Sequence, residues 1–195
     1  MNQRINIING GFESPLIYRN FFSTKVLDQL NSKIADWNNG NIPVTQLYVG
    51  GAAEGMLGTF FTLNDDKEIC ENIWNEINSV YDISLIDWYD CGIQIHGSGT
   101  ILPWHDDAGY SFTLTTYLNQ EHWNWNWGGA LLCQYPHGEI LAEFPEYNKT
   151  ILISGTYSKD NNMSHATTMV TPGSPIRISL QIFASPEHGN PSLTN

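Results

Sequence analysis

The sequence predicts a mainly β domain, a β-sandwich or jelly roll braced by two N-terminal helices. Three observations carry that expectation. Before residue 82, apolar residues recur at helical spacing. After residue 86 they alternate with a period of two, in short runs separated by Gly, Pro and Asn. No internal repeat or low-complexity tract interrupts the chain. The chain has 195 residues, 41% of them hydrophobic, enough for one domain with a sizeable core. The expected organisation is a single domain over 1–195, with helical support over about 20–82, a jelly roll over about 86–184 and a loose tail over 185–195.

The first helix starts after Ser23 or Thr24, either of which can cap it. Val26, Leu27, Leu30, Ile34 and Trp37 form its apolar stripe, and Asn38-Asn39-Gly40 stops it. Asn64 is the expected cap of the second. Asp65, Asp66 and Glu68 sit where the helix dipole favours acids, and Ile69, Ile73, Trp74, Ile77 and Val80 form the buried face. Strands are expected near 88–96, 101–107, 111–118, 130–135, 150–154 and 175–184. Between them lies Glu121-His122-Trp123-Asn124-Trp125-Asn126-Trp127, whose three tryptophans either cover a pocket and grip a ligand or pack a long loop onto the sheet.

Charge narrows the classes of partner. The net charge is -12 with eight Lys and Arg in all, so no basic stripe is available for nucleic acid or for an anionic membrane. The N-terminal residues lack the apolar core of a signal peptide, and no run is long enough to span a bilayer. Cys70, Cys91 and Cys133 are odd in number and show no CxxC spacing, which fits reduced packing thiols and a cytoplasmic location. A small molecule or a peptide is the expected substrate; the oligomeric state is not legible.

The chemistry-bearing residues are sparse. In Trp104-His105-Asp106-Asp107, strand geometry sends His105 and Asp107 to one face and Asp106 to the other. One imidazole and one carboxylate are two ligands of a 2-His-1-carboxylate site, which leaves positions open on Fe(II). His165, in Asn-Met-Ser-His-Ala-Thr, is the candidate for the third. The last strand presents Ile176, Ile178, Leu180 and Ile182 on one face, which should pack on the helices, and Arg177, Ser179, Gln181 and Phe183 on the other. Arg177 is the only arginine after residue 19. Buried there, it needs an anion, either one of the protein's own acids or a ligand carboxylate matching its fork. With Fe(II) and Asp107 included, a dicarboxylate ligand would bring the site near neutrality, as a low-dielectric pocket requires. Thr113, Thr115 and Tyr117 share a strand face from which their hydroxyls can reach such a ligand.

In order, His105-x-Asp107, Leu114-Thr115-Thr116-Tyr117-Leu118-Asn119, Gly128-Gly129-Ala130-Leu131, His165 and Arg177-Ile178-Ser179 resemble the 2-oxoglutarate/Fe(II) oxygenases of the prolyl-hydroxylase type. The Gly97-Ser98-Gly99-Thr100 turn fits the same pattern, and the resemblance spans roughly 88–184. It implies a double-stranded β-helix, the cupin-like form of the jelly roll. It also implies iron on His105, Asp107 and His165, with 2-oxoglutarate chelating that iron and its distal carboxylate held by Arg177 and Tyr117. Thr113 and Ser179 would line the cosubstrate pocket, and Phe183 would stand behind it. O2 would be the second cosubstrate and ascorbate an optional reductant. The implied activity is hydroxylation of an unactivated C–H, on a prolyl or other amino-acid residue, with conversion of 2-oxoglutarate to succinate and CO2. The halogenase variant of the family replaces the metal-binding acid with a small residue; Asp107 argues for hydroxylation.

The sequence departs from the family pattern in two places. Twelve positions separate His165 from Arg177, slightly more than usual, with Pro172 and Pro175 between them. The strand before the first ligand lacks the usual pocket tyrosine, leaving His96 or Gln94 to substitute. Two rival readings stand beside this one. A noncatalytic jelly-roll module could grip a ligand with its tryptophan loop. A cupin-type metalloenzyme would want a His-x-His pair and a glutamate, which the sequence lacks.

Overall fold

Two helices form where the apolar stripes lie. The computed structural model describes residues 5–6, 15–47, 58–83, 86, 88–107, 110–135, 137–154 and 163–185. Helix α1 (Thr24–Asn38) starts at Ser23, whose side chain accepts from the Val26 amide, and ends at Asn39 with Gly40 at φ 76°. Helix α2 (Lys67–Val80) is capped by Asp66, not by Asn64 as the sequence suggested. Asn64 is spent on tertiary contacts: its Nδ2 donates to Asp90 (2.7 Å) and its Oδ1 accepts from the Cys91 amide (2.9 Å). Asp65 and Asp66 therefore precede the helix, and only Glu68 is an acid in its first turn.

The strands are β1 (Ile5–Asn6), β2 (Leu16–Arg19), β3 (Thr45–Leu47), β4 (Gly58–Thr62), β5 (Tyr81–Asp82), β6 (Trp88–His96), β7 (Leu102–His105), β8 (Phe112–Tyr117), β9 (Leu131–Gln134), β10 (Ile140–Glu143), β11 (Lys149–Ser154), β12 (His165–Thr167) and β13 (Arg177–Ser185). A seven-stranded sheet runs β2-β11-β8-β13-β6-β4-β3 and a four-stranded sheet runs β10-β9-β12-β7; all their pairings are antiparallel. From β6 to β9 and again from β11 to β13, successive strands alternate between the two sheets. That is the winding of a double-stranded β-helix, and it bears out the predicted class. The six expected strands form within one or two residues of their expected ends. Strand β13 keeps Ser185, which is buried, so the chain is ordered one residue past the expected start of the tail; residues 186–195 lie outside those described.

The larger sheet has two distinct faces. Leu180, Ile182, Ala184, Phe112, Leu114, Ile93 and Ile95 pack against Val26, Leu30, Ile73 and Ile77 of the helices, all buried. Each fully buried Leu or Ile contributes about 1.5–3 kcal/mol, so this layer anchors the sheet. The opposite face lines the barrel and is divided. Tyr117, Ile151 and Ile153 of that face cluster with Leu131 and Cys133 of β9 and with Met163 to fill one half with apolar surface. Thr115, Gln94, His96, Arg177, Ser179 and Gln181 make the other half polar, and all six are buried. Among the described residues, no helix is long and apolar enough to cross a membrane.

Candidate metal and cosubstrate site

Adjacent strands of the small sheet place the two histidines. His165 on β12 pairs directly with His105 at the end of β7, and their ring centroids lie 4.2 Å apart. Asp107 lies beyond the end of β7, yet its side chain returns to the same side as His105, while Asp106 is exposed. His105 Nε2 is 3.8 Å from Asp107 Oδ1, and His165 Nε2 is 3.3 Å from Asp107 Oδ2. Candidate ligand atoms on the three residues all fall within 4.8 Å of one another, as a single metal ion requires.

Each imidazole is oriented from behind. His105 Nδ1 lies 2.8 Å from the Pro103 carbonyl, and His165 Nδ1 lies 3.2 Å from the Met163 carbonyl. A carbonyl only accepts, so each Nδ1 donates, which leaves the Nε2 lone pair free to ligate. Burial works to raise the Asp107 pKa. The hydrogen bond to His165, both imidazoles and the Thr113 hydroxyl outweigh it, so the carboxyl sits below the usual range, ionised as a ligand should be. Burial and the neighbouring His165 lower the His105 pKa. Burial also opposes charge on His165, but the bond to Asp107 prevails and raises its pKa in the metal-free protein.

Arg177, at the start of β13, is 1% exposed. Its Nη1 donates to Ser179 Oγ (3.3 Å) and to His96 Nδ1 (3.4 Å), and the guanidinium carbon lies 5.0 Å from the centre of the Tyr117 ring. Among the described residues its Nε has no hydrogen-bond partner, and no carboxylate lies within 4.0 Å of the guanidinium. The nearby buried Lys149 is different, being paired with Glu143 at 2.9 Å. Burial raises the Tyr117 pKa, so its hydroxyl stays protonated and donates to the Glu143 carbonyl (3.2 Å).

The sequence-predicted pocket residues divide between two ends. Arg177, Tyr117 and Ser179 gather with His96, and Ser179 also accepts from Gln181 Nε2 (3.1 Å), which links to Thr115 through its Oε1 (2.8 Å). Thr113 is at the metal end, beside Asp107 rather than beside Arg177. Phe183, opposite Thr113 on β13, packs against Tyr110 with centroids 5.0 Å apart. The tryptophan loop packs beneath Arg177. Trp123 is buried, donates Nε1–H to the Gly128 carbonyl (2.9 Å) and meets Trp127 edge-on, whereas Trp125 is 70% exposed. A Cβ at Gly129 would stand 3.1 Å from Arg177 Cδ and 3.3 Å from Trp123, so only glycine lets the loop come so close to the arginine stem. The carbonyls behind the histidines left no signal in the sequence; Gly129 did, within Gly128-Gly129-Ala130-Leu131, but not its contact with Arg177.

No protein-family model and no curated protein matches the chain. Solved structures do. A prolyl hydroxylase from Trichoplax adhaerens, solved with a peptide fragment of the hypoxia inducible factor oxygen degradation domain, superposes with a TM-score of 0.72 at 14% identity, over 92% of this chain and 86% of that one. A prolyl-4-hydroxylase from Pseudomonas putida gives 0.70 at 14% identity over 92% and 96%. A 2OG-Fe(II) oxygenase family protein from Burkholderia pseudomallei gives 0.65 at 16% identity over 90% and 86%. The chain has the double-stranded β-helix fold of prolyl hydroxylases and 2OG-Fe(II) oxygenases.

Proposed function

We propose that this protein is an Fe(II)- and 2-oxoglutarate-dependent dioxygenase that hydroxylates an unactivated C–H. The observation that carries this reading is a buried guanidinium with no carboxylate partner among the described residues, in the same barrel as a His-Asp-His cluster of metal-binding size. Each half of that arrangement is costly alone and makes sense with its ligand. The donor set fits the group: two neutral imidazoles and one carboxylate suit Fe(II) with positions left open. The orphaned Arg177 Nε fits a distal carboxylate.

His105, Asp107 and His165 would hold the iron. Bound there, Fe(II) with 2-oxoglutarate supplies oxygen activation coupled to oxidative decarboxylation, giving succinate and CO2. The chain's residues do the rest by position. The Pro103 and Met163 carbonyls fix the imidazoles, and the Thr113 hydroxyl steadies Asp107. Arg177, steadied by the Tyr117 ring and with the Ser179 hydroxyl beside it, would hold the far carboxylate of the cosubstrate. The apolar half of the barrel keeps water out. No side chain has to act as a general base.

The substrate we propose is a peptide or a free amino acid, with prolyl residues suggested by the hydroxylases that share the fold. Aerobic incubation with Fe(II), 2-oxoglutarate, ascorbate and candidate peptides should yield succinate and a product heavier by one oxygen in mass spectrometry. Asp107→Ala should abolish Fe(II)-dependent succinate formation. Undiminished turnover in that variant would end the proposal, and a melting temperature unmoved by Fe(II) and 2-oxoglutarate would favour a noncatalytic binding module.

A further inference from the structure

The small sheet has an outer face that the barrel does not use. Leu131, Cys133 and Leu141 turn inward to the apolar half of the barrel, so their strand neighbours Leu132, Gln134, Ile140 and Ala142 turn outward. On β12 and β7 the inward residues are His165 and His105, which sends Ala166 and Trp104 outward. An antiparallel sheet with one wet face ordinarily carries polar or charged side chains there. Here no outward position of the four strands is charged, and Gln134 alone among these six is polar. Trp104 is 40% exposed and Ile140 55%, so the described residues leave both open. An exposed apolar face of this kind marks a contact surface.

Its pattern says what covers it. Ala142 pairs with Leu132 and Leu132 with Ala166, while Trp104 stands beside Ala166 on β7, one place from the His105 that pairs with His165. Across β10, β9, β12 and β7 the row therefore reads small, large, small, large. A two-fold axis along the strands, midway between β9 and β12, sets the row against itself in reverse. Trp104 of one copy then stands over Ala142 of the other, and Leu132 over Ala166, each contact occurring twice. Facing sheets interdigitate when large side chains meet small ones. In the next row Asp106, one place beyond β7, comes to face Ile140 and not another acid. That matters because two copies of net charge -12 repel, and they can meet only where acid does not face acid. A basic partner would find only Asp106, at the edge, to pair with.

We infer that the outer face of the small sheet is the contact of a two-fold dimer of this chain. The contact is isologous, with Trp104 of each copy seated on Ala142 of the other. The barrel interior lies on the opposite side of the sheet, so each copy keeps its own His-Asp-His cluster. Four short strands make a contact at the low end of specific interfaces, and the expected Kd is on the order of 10 μM.

Sedimentation equilibrium on the full chain from about 1 to 200 μM tests this. Wild type is expected to follow a monomer–dimer equilibrium. Trp104→Ala should weaken the dimer by about a hundredfold or more, because symmetry removes the contact twice. Trp104→Ala combined with Ala142→Trp exchanges the large and small partners and should recover most of the affinity, a rescue that only this pairing predicts. Wild type that stays monomeric to about 200 μM overturns the inference and leaves the face to a different partner. A dimer that tolerates Trp104→Ala, or whose loss the double variant does not rescue, overturns it by placing the contact elsewhere. Melting temperatures of dilute samples show which variants are folded. If Trp104→Ala is not, Ala142→Glu, at an exposed position, takes its place: a carboxylate beneath Trp104 should abolish the dimer, and a dimer that survives it overturns the inference.

Discussion

Replacing Arg177 with Met separates a ligand-binding cation from a structural one. If Arg177 served an internal ion pair, removing it would strand a buried acid and cost about 3–5 kcal/mol. The structure points the other way. The described residues offer Arg177 no carboxylate, one of its donors is unsatisfied, and its two hydrogen bonds are long, at 3.3 and 3.4 Å. Met fills the stem's channel between Gly129 and Tyr117 and removes an uncompensated charge. The losses are the cation–π contact with Tyr117, about 0.5–2 kcal/mol, and the two weak bonds. The gain is relief of a buried charge, of similar or larger size. The metal-free variant should therefore be within about 1 kcal/mol of wild type, or more stable. For a chain of this length, 1 kcal/mol corresponds to roughly 2–4 °C in Tm. Wild type loaded with Mn(II) and 2-oxoglutarate at a hundred times Kd should gain about 2.7 kcal/mol, hence roughly 5–11 °C, and the variant should gain almost nothing from the keto acid. Differential scanning fluorimetry with and without each ligand reads both quantities. A ligand-free Tm lowered by more than about 6 °C, or an undiminished response to 2-oxoglutarate, would refute the assignment of Arg177.

Three further outcomes are expected. The His96 pKa is held well below its ordinary 6.5 by burial first and Arg177 second, so the unfolded chain takes up a proton that the native state refuses, and its stabilising contribution is present above about pH 6.5 and lost below it. Between pH 7.5 and 5.5, wild type should lose about 1.4 kcal/mol more stability than His96→Gln in urea unfolding; parallel curves would contradict this. Gly129→Ala forces a side chain onto a backbone at φ 68° and into Arg177 Cδ, so it should cost about 1–2 kcal/mol and also weaken 2-oxoglutarate binding in calorimetry. Asn148, at φ 58°, holds both the Phe22 amide (2.9 Å) and the Phe22 carbonyl (2.8 Å); Asn148→Ala should lower unfolding stability by about 2–4 kcal/mol without altering metal affinity.

The long strands were legible because each carries enough residues for alternation to show. Strand β13 could be read face by face, and the helices do pack on the side that its Ile178, Leu180 and Ile182 present; Ile176, expected on that face too, precedes the strand and is exposed. The short elements were not legible. Strand β12 has three residues, too few for a period of two to register, so His165 resembled a loop histidine until its pairing with His105 placed it. The strands β2 to β4 join the large sheet through long-range pairings that no local pattern announces. The cap of α2 was misread because Asn64 and Asp66 are both good caps, and the choice was made by Asp90 and Cys91 on a distant strand. At the candidate site, residue type and spacing were enough to single out His105, Asp107 and Arg177. The solitude of Arg177 and the register that sets His96 opposite it belong to tertiary structure alone.

The imidazoles at 105 and 165 are each steadied by the main chain two positions earlier, so no particular side chain is needed to aim them. Every residue type supplies a backbone oxygen, and substitution at 103 or 163 cannot delete it. What such a change can do is bend the path of the chain. The heredity of this centre therefore lies in the course of two short segments more than in the spelling of their letters, and descendants could diverge widely around it while still presenting the same pair of nitrogens.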